Sequence, residues 1–359
     1  MSPTFHSLTI KEVRRETTDC VSVAFETPES LKADYHFIPG QYLTLKTTLN
    51  GEEARRSYSI CAGPNDGELR VAIKKVPGGL FSTFANEKLQ AGDTLEVMTP
   101  MGNFYTPIVA TQAKNYAAFA AGSGITPILS IMKAVLETEP KSTFTLFYGN
   151  RTADAVIFRE AIEALKNRYM DRLSVHYLLS REYPGSDLFY GRITAEKCGV
   201  FCKTLLAWEA TDEFFLCGPE EMVEAVRDTL AGLGVDPHKI HTELFQASTD
   251  KQAAAQIQER VEALPDIVST VRVVLDGNNF EFALPAHGDT ILDAAMKAGA
   301  DLPFSCKGGV CSTCRAKLLE GKVMMEVNYA LEADELEQGY ILTCQAHPQS
   351  EMVVVDFDA

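Results

Sequence analysis

Between residues 5 and 105 apolar and polar positions alternate over short runs, broken by Pro39-Gly40, Asn50-Gly51 and Asp66-Gly67. A period of two with frequent turn dipeptides predicts short half-buried strands, and hence a small antiparallel barrel or sandwich. From Asn115 the pattern changes. Tyr116-Ala-Ala-Phe-Ala-Ala121 is an apolar run suited to a buried strand, and Ile128 to Leu136 has helical spacing. Further strands are predicted at Thr143–Tyr148, Leu173–Leu179 and Glu213–Cys217, with a helical stretch over Ile157–Asn167 and another beyond Met222. Strands alternating with helices predict a parallel α/β sheet. A third pattern begins near residue 270. Thr270–Leu275 and Phe280–Leu284 flank Asp276-Gly277, the signature of a hairpin, and Asp289-Thr290 precedes a short helix over Ile291–Ala298. Gln246–Arg260, rich in alanine, glutamine and charge, predicts a tether that is helical in part at most. The expected chain is therefore multidomain: an antiparallel β-barrel over 1–108, an α/β parallel-sheet domain over 109–246, a linker over 247–268, and a small α+β domain over 269–359.

The chain has 359 residues, more than one ordinary core needs, and 46% hydrophobic with 23% charged residues is the composition of a soluble protein. The start, Met1-Ser-Pro-Thr-Phe-His6, runs into the charged segment Lys11–Glu16, so no signal peptide is expected. The most apolar window, Tyr116–Leu136, is interrupted by Gly122, Gly124, Pro127 and Lys133, which suits a strand, turn and helix better than a membrane span. Nine cysteines without a regular pairing framework suit a reducing cytoplasm. A net charge of −16 argues against nucleic acid as a partner. From Val271 onward there are 14 acidic and six basic side chains, so about half the excess charge sits on the last quarter. Such a module is steered toward a basic partner, although solubility alone would also explain it.

The strongest chemical signal lies in that last quarter. Cys306, Cys311 and Cys314 stand in C-x4-C-x2-C spacing, and Cys344 follows thirty residues on in Leu342-Thr-Cys-Gln-Ala346. That is the plant-type [2Fe–2S] spacing. Three thiolates from one loop wrap most of a cluster, and a fourth from a separate strand closes it. Gly308 and Gly309 let the loop turn tightly and aim N–H groups at the sulfides. A zinc site favours paired C-x2-C units, and unrelated buried thiols would have no reason to keep this spacing.

Two further motifs concern flat and phosphorylated ligands. Arg55-Arg56-Ser57-Tyr58-Ser59 offers a cation for phosphate, a ring for stacking and a hydroxyl for a ring nitrogen, with Gly78-Gly79-Leu80-Phe81-Ser82 following. Taken alone, Arg-x-Tyr-Ser on a strand is more often a cross-strand surface pair. Gly122-Ser-Gly-Ile-Thr-Pro127 lies between a predicted strand and helix, the context of a phosphate-binding turn. It ends in proline, which suits a first helical turn. Ser180-Arg181, at the end of another strand, places a hydroxyl beside a guanidinium, with Arg151 as a second cation.

In this order the motifs resemble the ferredoxin–NADP reductase family, and with the carboxyl-terminal cysteines they resemble its ferredoxin-fused members that serve bacterial oxygenases. The resemblance implies a flavin barrel, a nucleotide domain and a β-grasp ferredoxin over nearly the whole chain. It implies that Arg56 holds a flavin phosphate, Tyr58 packs on the isoalloxazine and Ser59 meets its reactive edge. Ile73, Lys74, Gly79, Phe81 and Ser82 join that set, with Gly79–Ser82 cradling a pyrophosphate; this favours FAD, with FMN used by some fused relatives. Gly122, Gly124, Thr126, Pro127, Cys217 and Gly218 are implied near the nicotinamide nucleotide, with Ser59 and Cys217 at the reacting atoms. Ser180, Arg181 and Arg151 favour NADPH, with NADH as the alternative. Phe245, in Glu243-Leu-Phe245, is implied near the flavin. Glu243 receives no role. Cys306, Cys311, Cys314 and Cys344 are the implied cluster ligands. Electrons would pass from nicotinamide through flavin and cluster to a multi-subunit oxygenase, expected to be di-iron. Val323–Leu331 and Gly339–Gln345 bring the resemblance nearest to reductases whose oxygenase acts on an aromatic CoA thioester. The alternatives are the reductase of another aromatic-ring or steroid hydroxylase, and a ferredoxin-like carrier with an inactive reductase portion.

Overall fold

The computed structural model describes residues 4–245 and 251–359, and the chain divides into two compact units, one over Phe5–Glu243 and the other formed mainly by Leu244–Ala359. The first unit opens with six strands, β1 (Phe5–Thr17), β2 (Cys20–Phe25), β3 (Tyr42–Leu49), β4 (Glu52–Ser59), β5 (Leu69–Lys74) and β6 (Thr94–Met98), in the order β4-β3-β6-β1-β2-β5. All neighbours are antiparallel. The two edges meet just past β4, where Ile60 pairs with Val71 and the Cys61 N–H donates to Arg70 O at 2.9 Å. The sheet is thus a closed barrel, which leaves no edge to be paired elsewhere. Leu8, Val23, Leu43, Leu45, Val71, Ile73 and Val97 fill it. Helix α1 (Leu80–Glu87) lies against β5 and contributes Phe81 and Ala85 to the same core.

Five parallel strands follow: β7 (Asn115–Ala121), β8 (Thr143–Asn150), β9 (Leu173–Leu179), β10 (Glu213–Cys217) and β11 (Ile240–Glu243). Their order, β11-β10-β7-β8-β9, reverses at β7, so the crevice between the ends of β7 and β10 is the topological switch point where open α/β sheets bind ligands. Helices α2 (Ile125–Thr138), α3 (Arg159–Arg168), α4 (Ala195–Thr204) and α5 (Glu220–Gly232) make the crossovers. Barrel and sheet share one core: Cys61, Ala72 and Phe104 pack with Ile125, Ile128 and Leu129. Ser130 Oγ donates to Ala62 O at 2.7 Å, and Lys133 Nζ meets Asp66 Oδ2 at 2.5 Å across the same joint.

In the second unit, the segment expected to be a tether is a regular helix from its first described residue, α6 (Lys251–Glu262); residues 246–250 of that tether lie outside the described residues. The alanine- and glutamine-rich composition that resembled a linker is also that of a good helix former. Gln258 Nε2 donates to Glu262 at 2.8 Å, and Arg260 donates to the carbonyls of Met325 and Glu326 at 3.0 and 3.1 Å. The helix is thereby fastened to the domain that follows it. That domain has a mixed sheet, β13-β12-β18-β14-β16, built from β12 (Val268–Leu275), β13 (Asn278–Pro285), β14 (Arg315–Glu320), β16 (Tyr340–Leu342) and β18 (Met352–Asp356). β12 and β18 are parallel, the other pairs antiparallel. Asp276 and Gly277 both have positive φ, the type I′ geometry that suits the twist of the expected hairpin. Thr290 caps α7 (Ile291–Lys297), whose Ile291, Leu292 and Ala295 are buried. α8 (Ala333–Glu337) carries a capping box from Glu332 and Glu335. A second, two-stranded sheet pairs β15 (Val323–Met325) with β17 (Ala346–Pro348). Among the described residues no helix is long and apolar enough to cross a membrane.

Glu139, just past the end of α2, ties that helix to β7 and is 0% exposed. Its carboxylate accepts from the Tyr116 hydroxyl, the Ser142 hydroxyl and the Val109 N–H at 3.0, 2.6 and 3.1 Å. Glu139→Ala would leave the buried Tyr116 and Ser142 hydroxyls, and the Val109 N–H, without this acceptor. The expected result is a loss of about 3 kcal/mol of unfolding free energy, read from urea denaturation of the holoprotein.

Candidate functional site

Two chain reversals meet at the switch point. β7 runs into Gly122, at φ +55°, whose carbonyl accepts from the Tyr148 hydroxyl at 2.9 Å. A side-chain carbon at Gly124 would be driven into the carbonyl of Cys217, so only glycine lets α2 start this close to the end of β10. Gly218 is in a tight but softer place, with Ala121 at 3.2 Å from a side-chain carbon built there and the flexible end of Met222 at 2.7 Å. Thr126 is buried and donates its hydroxyl to Ser123 O at 3.1 Å, fixing the turn from inside. Pro127 follows in the first turn of α2, also buried. What remains is a bare backbone cradle at the amino end of a helix, where anionic groups are favoured.

One strand over, the ends of β8 and β9 are zipped together. Ser180 N–H donates to Asn150 O and Arg181 N–H to Arg151 O, at 2.9 and 2.8 Å. Arg151 and Arg181 are exposed guanidinium groups on adjacent strand ends, and among the described residues the buried Nδ2 of Asn150 has no hydrogen-bond partner. Glu182 accepts from the Ala153 N–H at 2.8 Å.

From the barrel, β4 brings Arg56 and Tyr58 to one face, since side chains two apart share a face. Arg56 is exposed, and its Nη1 donates to Arg55 O at 2.6 Å. The Tyr58 ring lies 5.7 Å from that of Phe81, tilted by 37°. Ile73 and Phe81 are core residues, 0% and 1% exposed, so they shape the barrel wall, and the Ile73 carbonyl accepts from Asn86 Nδ2 at 2.9 Å. Ser82 Oγ accepts from the Val76 N–H at 3.1 Å and sits where a side chain at Gly79 would go. The hydroxyl thus folds the loop ahead of α1, whose first-turn N–H groups have no helical acceptor. Lys74 Nζ, 3.7 Å from Asp19 Oδ2, reaches the space above Gly122.

Barrel and sheet converge on Glu243, at the end of β11 beside Cys217. Ser59 Oγ donates to Glu243 Oε2 at 3.0 Å, and Cys217 Sγ lies 3.9 Å from the same oxygen. Burial pushes the Glu243 carboxyl up to about 8, partly opposed by the hydrogen bonds from Ser59 and Cys217. Burial and the neighbouring carboxylate push the Cys217 thiol well above its usual value. At neutral pH the site therefore holds a proton on a carboxyl, beside a hydroxyl and a neutral thiol. Sequence reasoning paired Ser59 with Cys217 but gave Glu243 no role; the acidic residue closing the last strand was the available signal, and only the fold brings residue 59 to residue 243. Phe245, beyond β11, has an exposed ring and belongs to the second unit.

The four cysteines of that unit converge. Cys306 and Cys311 approach to 3.1 Å between sulfurs, and Cys344 lies within reach of Cys306 and Cys314. Lys307 and Gly309 both take positive φ, at 50° and 72°, which folds the loop back on itself. The Gly308 N–H points at Cys306 Sγ at 3.3 Å, and Thr313 Oγ1 at Cys311 Sγ at 3.4 Å. Donors aimed at sulfur and a glycine packed against Val327 and Gln345 fit a cluster of negative charge held by thiolates.

Known proteins carry the same three modules. Residues 7–105 match the oxidoreductase FAD-binding domain, 119–228 the oxidoreductase NAD-binding domain, and 273–349 the 2Fe-2S iron-sulfur cluster binding domain. The chain is 47% identical over 99% of its length, and 98% of the relative's, to one of the subunits of 1,2-phenylacetyl-CoA epoxidase of Escherichia coli K12. It is 34% identical, over 98% of its length and 96% of the relative's, to the ferredoxin reductase component of 3-ketosteroid-9-alpha-monooxygenase of Rhodococcus rhodochrous. Among solved structures, phthalate dioxygenase reductase matches over 98% of both chains, with 25% identity and a TM-score of 0.58. The chain belongs to the ferredoxin-fused flavin reductases that form the reductase components of oxygenase systems.

A pH dependence follows from Glu243. Its carboxyl is raised from 4.5 to about 8 on folding, so the unfolded chain releases this proton first. Stability from this group is full below 4.5 and is lost as pH rises through about 8. Glu243→Gln should flatten that part of the profile between pH 5 and 9, measured by urea unfolding at a series of pH values.

Proposed function

We propose that this protein carries electrons from NADPH, through FAD and a [2Fe–2S] cluster, to a multi-subunit di-iron oxygenase acting on phenylacetyl-CoA. The observation that carries the acceptor is the 47% identity, over nearly both full lengths, to a component of the phenylacetyl-CoA epoxidase. The lower identity to the ketosteroid monooxygenase component leaves the same chemistry with a different acceptor.

In this reading the chain works as three domains, 1–108 for flavin, 109–246 for nucleotide and 269–359 for the cluster. Arg56, Tyr58 and the start of α1 would hold FAD, with Ile73 and the Lys74 side chain beside it. Gly122, Gly124 and Gly218 would admit the nucleotide to the sheet crevice. Ser59, Cys217 and Glu243 stand where that crevice meets the barrel, and they keep a proton at Glu243 out of bulk water. Bound flavin supplies the exchange between a two-electron donor and a one-electron acceptor. Cys306, Cys311, Cys314 and Cys344 would ligate the cluster. Nine cysteines with no disulfide among them suit a reducing cytoplasm.

NADPH is favoured by Arg151 and Arg181, adjacent cations whose strand ends are joined by backbone hydrogen bonds. A guanidinium on a phosphate contributes more than a neutral hydrogen bond. Arg181→Ala should raise KM for NADPH by about 10- to 100-fold and leave NADH kinetics nearly unchanged. Equal effects on both nucleotides would remove Arg181 from the 2′-phosphate site.

The reading as a whole is tested by reconstitution. Flavin- and iron-replete protein should support NADPH-dependent turnover of phenylacetyl-CoA by the epoxidase's oxygenase subunits. Reduction of an artificial acceptor without that turnover would keep the electron transfer and overturn the oxygenase named.

A further inference from the structure

Beside Cys344 stands a side chain to which none of the motifs gives a task. Gln345 is 4% exposed, a poor place for an amide unless its hydrogen bonds are met. They are met in an unusual way. Nε2 lies 3.0 Å from Lys307 O, 2.9 Å from Cys344 O and 3.5 Å from Cys344 Sγ. One amide therefore joins the loop that carries Cys306 to the separate segment that carries Cys344. The join matters because those two pieces are 38 residues apart in sequence.

Both ends of the join are constrained. Lys307 sits in the left-handed region at φ +50°, which a non-glycine residue keeps only when its surroundings hold it. Its carbonyl is taken by Gln345, and its ammonium meets Asp293 Oδ1 at 2.6 Å on α7. On the other side, Gln345 N–H donates to Leu342 O at 2.9 Å, and Gln345 O accepts from Glu326 N–H at 2.8 Å, where β15 meets β17. Gly309 leaves room for the Gln345 side chain, since a carbon there would approach Gln345 Cγ to 3.3 Å.

We infer that Gln345 is a positioning residue for the iron–sulfur centre: it ties the Cys306 loop to the Cys344 segment with one N–H on Lys307 O, and shares the other between the Cys344 carbonyl and the Cys344 sulfur. The inference rests on the cluster assignment for the four cysteines. A donor to a cluster thiolate stabilises the added negative charge of the reduced state, and so raises the reduction potential. Mere packing would need the volume of the side chain but not its N–H.

The test separates these. Gln345→Met keeps the length and flexibility of the chain and removes the donor. In full-length holoprotein the EPR-monitored midpoint potential of the cluster should fall, by a shift equivalent to about tenfold in the one-electron equilibrium, about 59 mV. A Gln345→Met protein with a full complement of iron and sulfide, and the wild-type potential and g values, would overturn the inference. A second measurement needs no variant. Reduced wild-type protein labelled with 15N in glutamine side-chain amides should show a 15N hyperfine coupling to the cluster, whether or not the variant assembles; its absence overturns the inference equally. Iron and sulfide content of the wild type reports separately on the cluster assignment: a chain that binds neither would refute the functional reading itself.

Discussion

The close approach of two backbone segments, Gly124 against the carbonyl of Cys217, governs the reductase unit. It exists because position 124 has no side chain, and it draws the ends of β7 and β10 together at the point where the sheet order reverses. Everything chemical in that unit is referred to this junction. The helix that starts there packs its Ile125, Ile128 and Leu129 into the barrel, so the junction also sets where Ser59 arrives. Glu243, the neighbour of Cys217 across β10 and β11, then meets the serine hydroxyl. A carboxyl, a hydroxyl and a thiol from three strands share one small volume because a glycine removed the obstacle.

The two ends of the electron path are built by opposite means. At the switch point a bare backbone cradle would receive the nucleotide, and the Thr126 side chain is turned inward to hold the turn in shape, as Ser82 does ahead of α1 in the barrel. In the iron–sulfur domain, cysteine side chains would be the ligands and the backbone supplies curvature, through positive φ at Lys307 and Gly309. The first arrangement suits a nucleotide that comes and goes. The second suits a centre that stays.

Much of this was legible in the sequence for local reasons. Period-two alternation, glycine turns and apolar runs are properties of neighbouring residues, so the strands of the barrel, the parallel sheet and the hairpin at Asp276-Gly277 could be read directly. The cysteine spacing was legible because three ligands lie within nine residues. The Ser59–Glu243 contact was not, since 184 residues separate its partners and each looks ordinary alone. The helix over Lys251–Glu262 was misjudged for a different reason. Alanine, glutamine and charge describe both a solvated linker and a good helix, and what decides between them is the docking of Arg260 on β15, a contact 65 and 66 residues away.

That helix changes what the segment ahead of the cluster domain can do. Twelve residues stretched out reach about 40 Å, but wound into a helix they advance about 18 Å. Slack and length are then no longer interchangeable. In a loose string, deleting a residue shortens the reach slightly and leaves direction free. In a helix fastened at Arg260, removing one residue from within it turns every side chain ahead of the deletion about 100° around the axis, relative to the domain on which the helix docks. The length of the segment thus decides which of its side chains that domain meets.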